Sequence, residues 1–102
     1  MRTRRARFSE LIDRQLDIFE NEQRGLIEDC VAAERAYNQA PRDEAEERYG
    51  DYLDLVETGT EILAGMRDYY ARESAQADDY ERAFNRAAAK RFPRFALELE
   101  NT

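Results

Sequence analysis

A chain of 102 residues, 38% charged and 42% hydrophobic, supports one small core and suits a solvated helical bundle or coiled coil better than a thick-cored enzyme. With no His and a single Cys, it excludes His-based triads, Cys–His pairs, His-containing zinc sites, iron–sulfur sites and Glu-x-x-His di-iron motifs. A net charge of −7 argues against whole-molecule attraction to nucleic acid or to an anionic membrane.

The chain opens on a short basic arm, residues 1–8, carrying Arg2, Arg4, Arg5 and Arg7. Ser9, Glu10 and Asp13 follow in place of an apolar region, so the arm does not read as a secretory signal. No apolar run approaches the ~18 residues needed to span a bilayer. The expectation is a cytoplasmic protein with no membrane association. Ser9 is the predicted N-cap of a first helix over residues 9–38, with Glu10 and Asp13 at the favourable end of its dipole. That helix carries a stripe at alternating steps of four and three: Ile12, Leu16, Phe19, Gln23, Leu26, Cys30, Ala33, Tyr37. Cys30 reads as a small buried hydrophobe, since no His exists to activate it and Glu28 and Asp29 disfavour a thiolate.

Asn38, Gln39 and Ala40 make the turn, over 38–41, and Pro41 suits the first position of a second helix, with Asp43 and Glu44 in its first turn. So short a connection makes the two helices antiparallel. The second stripe runs Ala45, Tyr49, Tyr52, Val56, Gly59, Leu63, Met66, Tyr70, Glu73, Ala77, Tyr80, Phe84, Ala87. An index sum of 82 pairs the two stripes, from Tyr37 with Ala45 through Cys30 with Tyr52 to Ile12 with Tyr70. It places Gln23 opposite Gly59 and ends on two polar residues, Ser9 and Glu73.

Residues from Ser74 onward then have no partner in the first helix. Either the helix from 41 to 73 continues to 92 and overhangs the hairpin, or Ser74-Ala75-Gln76 breaks it and a third helix folds back. Unbroken phase and the lack of Gly or Pro between Met66 and Phe92 favour continuity. Both versions need a second apolar face, which Phe8, Leu11, Ile18, Ile27 and Val31 supply on one helix and Leu53, Leu55 and Ile62 on the other. Pro93 closes the helical region, and Phe95, Leu97 and Leu99 form a short amphipathic tail over 93–102. The predicted fold is therefore all-α: an antiparallel helical hairpin with a long second helix, completed as a bundle by a C-terminal third helix or by dimerisation.

Chemistry is sparse. Asp13, Asp17 and Glu20 share one helical face, as do Glu47, Asp51 and Asp54, but runs of this kind are ordinarily solvated and carry i,i+4 partners. Tyr37, Tyr49, Tyr52, Tyr69, Tyr70 and Tyr80 read as packing residues that send hydroxyls to the edge. The four glycines are scattered singly, so no phosphate-binding loop is present. No catalytic, cofactor-binding or metal site is predicted.

Charge is laid out unevenly. Residues 1–9 carry +4, residues 10–81 carry −14 and residues 82–102 carry +3. The expectation is an acidic shaft with a basic pole made of Arg2, Arg4, Arg5, Arg7, Arg86, Lys90, Arg91 and Arg94. The apolar residues expected to meet a partner are Tyr80, Phe84, Phe92, Phe95 and Leu97. Together these point to a non-enzymatic interaction or scaffold protein, a homodimer or a binder of another helical protein. The alternative is a small adaptor whose basic pole binds nucleic acid or another polyanion.

Overall fold

The computed structural model describes the backbone of residues 2–100 and the side chains of residues 8–96. Five helices and no strand are present among the described residues: α1 (Arg2–Glu22), α2 (Arg24–Gln39), α3 (Arg42–Arg72), α4 (Ala77–Arg91) and α5 (Pro93–Glu100). The chain is all-α.

Helix α1 begins well before Ser9. Residues 2–8 are no separate arm, because an Arg-rich segment without Gly or Pro offers nothing to stop the helix. Helices α1 and α2 are separated by Gln23 alone, whose backbone sits at φ −109° and ψ 27°. Ala40 is extended and closes the turn, and Pro41 caps α3 from just outside it. Asp43 and Glu44 occupy the first turn of α3, where the helix dipole favours acids.

The continuous-helix expectation fails at Glu73–Gln76. The Gln76 amide donates to Ser74 Oγ at 3.0 Å, and the amides of Glu73 and Ser74 close on Tyr70 and Ala71 carbonyls. A serine hydroxyl thus supplies a local turn that competes with the helix. Asp78 and Asp79 then favour the start of α4, and Lys90 and Arg91 its end. A second break follows at Phe92, since the residue before a proline is disfavoured in helical geometry while Pro93 suits a first helical position.

The reversal sends α4 back along the shaft. Helix α2 packs along the first half of α3, α4 and α5 cover its second half, and α1 rests chiefly on α4. The index-sum pairing therefore does not carry α1 onto α3 past Gln23. Helices α1 and α4 run parallel: Phe8 meets Tyr80 near their starts, and Asp17 and Glu20 meet Arg91 near their ends.

Ile12, Leu16, Phe19, Leu63, Tyr80, Phe84, Ala88 and Phe95 form one buried cluster, with Cys30 at its α2 end. The open side of Gly59 is filled by the Phe95 ring, whose own neighbours are Phe19 and Phe92; the sequence pairing had set Gln23 there. A radius of gyration of 15.6 Å exceeds the ~13 Å of a compact chain of this length. The molecule measures 53 × 24 × 21 Å, and the turn-side ends of α2 and α3 form a two-helix prong, with Arg94 of α5 reaching Glu34 and Tyr52 at its base.

Candidate interaction surface

The fold-back changes the role of the aromatic residues after Glu73. Tyr80, Phe84 and Phe95 are 1%, 0% and 2% exposed, so they form this chain's own core and no partner surface. The physical reason is the Ser74 turn, which lays α4 across the apolar flank that these residues would otherwise leave bare. Phe92 is half-buried against Phe19. Leu97 lies in α5, with its side chain outside the described residues.

The basic residues are likewise redistributed. Arg91 bonds both Asp17 and Glu20, the latter at 2.7 Å, and these two hydrogen bonds hold its guanidinium above its ordinary pKa. It acts as a clasp between α4 and α1. Arg94 reaches Glu34 on α2 at 2.7 Å and the Tyr52 hydroxyl on α3 at 3.1 Å. Burial works against that charge, and the two partners outweigh it. Arg86 and Lys90 are exposed and have no ion pair among the described residues. Arg86, Lys90 and Arg91 lie in the last two turns of α4 and Arg94 in the first turn of α5. Arg2, Arg4, Arg5 and Arg7 lie in α1, with side chains outside the described residues.

A groove of about 550 Å³ runs between α1 and α4. Ile12, Leu16, Ala83 and Ala87 form its apolar floor; Arg86, Lys90 and Arg91 line one wall, with Ser9 and Asp13 on the other. The alanines keep the floor wide by contributing only a methyl each. Far from it, Tyr37, Tyr49 and Tyr52 cluster on the prong, with the first two ring centroids 5.0 Å apart.

Two buried polar residues, Gln15 and Arg67, were not singled out by the sequence reading. Tyr80 donates its hydroxyl to Gln15 Oε1 inside the core, both residues being 1% exposed, while Gln15 Nε2 has no partner among the described residues. Burial pushes the Tyr80 pKa up to about 12, the bond to Gln15 opposing. Arg67 is 4% exposed and joins Asp68 at 2.9 Å and Asn85 of α4 at 3.1 Å. A signal for this second interface was available: Thr60, Ala64, Arg67 and Ala71 form a stripe at steps of four, three and four beside the main one. Small residues at that spacing allow another helix to approach closely.

Large apolar residues that the core leaves exposed are Leu11, Ile18, Val31, Tyr49, Leu53, Tyr69 and Tyr70. Leu11 and Ile18 stand seven residues apart, so they share one side of α1; Leu55, Ile62 and Tyr69 share one side of α3 in the same way. Helical phase puts the α3 set nearly opposite Thr60, Ala64, Arg67 and Ala71, whereas Leu11 and Ile18 flank Gln15, which α1 turns inward onto Tyr80. Cys30 is free and fully buried, and desolvation raises its pKa. No group of three His, Cys, Asp or Glu among the described residues is arranged to hold a metal ion. No described helix is long and apolar enough to cross a membrane. Comparison of the chain with protein-family models, with curated proteins and with solved structures finds no match.

Proposed function

We propose that this chain is a non-enzymatic helical interaction or scaffold protein that self-associates or binds another helical protein through apolar residues left outside its own core. One observation carries the reading. After α4 and α5 have closed the core, Leu11 and Ile18 stay 36% and 39% exposed at heptad spacing on α1, and on α3 Tyr69 is 59% exposed one and two heptads past the part-buried Ile62 and Leu55. A coiled-coil-like seam repeats at this interval, whereas isolated surface apolar residues show no period. Tyr49 and Leu53 on the prong, each 44% exposed, add a second patch. The concentration dependence of mass by light scattering tests the reading. The expected outcome is association in the micromolar range; a strict monomer at every concentration reached would overturn it.

The second reading, an adaptor that binds nucleic acid or another polyanion, draws on Arg86 and Lys90, since Arg91 and Arg94 are already held by Asp17, Glu20 and Glu34. Phosphate contacts make affinity fall with added salt. A DNA duplex bound at low salt and released as salt rises would favour this reading over the first.

A further inference from the structure

The α1–α4 groove places Arg86 and Lys90, which have no ion pair among the described residues, beside an apolar floor, on a chain whose residues 10–81 carry a net charge of −14. A complementary surface must present apolar side chains over about two helical turns with acids beside them. The prong of this same chain presents one. Tyr49 and Leu53 stand one turn apart on α3, and exposed Glu46 and Glu57 flank them at steps of three and four. Val31 of α2, 40% exposed, joins that patch. Val31 follows the seam residue Cys30 as Leu53 follows Tyr52, so both lie on the same flank of the hairpin.

Leu53 precedes Thr60 by seven residues and Arg67 by fourteen, which puts it on the side of α3 that α4 and α5 cover further along. Groove and patch therefore face the same side of the molecule. Arg67 is level with Asn85, the neighbour of Arg86, so the two surfaces are separated along the axis by about 21 Å at 1.5 Å per residue.

We infer that a second copy of this chain docks antiparallel on this side, each copy's α2–α3 prong lying in the other's α1–α4 groove. Tyr49 and Leu53 cover the floor made by Ile12, Leu16, Ala83 and Ala87, while Glu46 and Glu57 meet Arg86 and Lys90. The contact is isologous: the surface that is groove in one half is prong in the other, so the assembly closes at two copies and does not grow. The inference rests on the self-association reading and names its surfaces.

A charge exchange tests it. One variant carries Arg86→Glu and Lys90→Glu, so that its groove and prong are both acidic; the other carries Glu46→Lys and Glu57→Lys, so that both are basic. All four residues are exposed, and circular dichroism checks that helix content is retained. If either variant loses helix, the corresponding Gln pair replaces it. The wild type dimerises, each variant alone dimerises about tenfold more weakly or worse, and an equimolar mixture restores dimers containing one copy of each. Native mass spectrometry separates the three species by mass. A wild-type dimer unchanged by either exchange, or variants that weaken without recovering on mixing, would overturn the groove–prong contact and leave self-association standing. A wild type that stays monomeric throughout would remove both.

Discussion

Tyr80 and Gln15 show how a single polar pair is carried inside an apolar core. The Tyr80 hydroxyl is satisfied by Gln15 Oε1, yet Gln15 Nε2 is buried without a partner among the described residues. Removing one member leaves its mate stranded, so Tyr80→Phe and Gln15→Leu should each cost about 1–3 kcal/mol in urea unfolding. The double variant removes both polar groups at once and should fall near wild type. Additive single costs in the double-mutant cycle would contradict this account. The same pair gives a pH signature. Because burial raises the Tyr80 pKa from 10 to about 12, the folded state holds that proton more tightly than the unfolded chain. Its contribution is therefore complete below pH 10 and is lost as pH rises through 12. Tyr80→Phe should flatten the fall of unfolding free energy across that window; an unchanged slope would show that other groups set it.

Within the elements, two glycines of α3 should respond with opposite signs. A Cβ on Gly59 would fall 2.7 Å from Phe95 Cζ and closer still to Cε1, and Phe95 is 2% exposed and wedged against Phe19. Gly65 has nothing within 4 Å of that position. Gly65→Ala should raise the unfolding midpoint, adding up to about 1 kcal/mol of helix propensity, while Gly59→Ala should lower it despite the same gain. Equal shifts in thermal unfolding would disprove the wedge.

The Gly59 position also shows where the sequence was legible. The stripes on residues 24–39 and 42–58 marked helices α2 and α3, and the short turn at Ala40–Pro41 brought them together. The stripe after Glu73 was apolar enough to be core, but period alone cannot say whose core. Phase ran unbroken through Glu73–Gln76, and the break was written only in a serine hydroxyl able to accept a local amide bond. The contact set that follows is non-local: Phe95 beside Gly59, Tyr80 beside Gln15 and Arg91 beside Asp17 each join residues far apart in sequence. A groove formed by parallel α1 and α4 could not be read without knowing that reversal. Its lining residues were visible as separate helical faces and became one surface only in the fold.

For the whole molecule, the distribution of core along the axis implies unequal stability within one uninterrupted helix. The second half of α3 buries Val56, Gly59, Thr60, Leu63, Ala64, Arg67 and Ala71, whereas its first half buries no residue below Val56. On α2, Cys30 is the buried residue, and Tyr49 and Leu53 across the prong remain 44% exposed. A two-helix ribbon that shares only one narrow seam has little apolar burial to oppose the entropy of ordering it. The 31-residue helix α3 should therefore open in two steps. Native-state hydrogen exchange should show amides of residues 42–52 exchanging through a low-energy opening shared with α2. Amides of residues 59–71 should exchange only near the free energy of global unfolding. Dimerisation through the prong would raise protection at residues 42–52 as protein concentration increases, because a second copy binds the ordered ribbon and not the open one. Uniform protection along α3 in the dilute monomer would mean that the prong is held by its own seam. In that case the exposed Tyr49–Leu53 patch would need no partner to keep it folded.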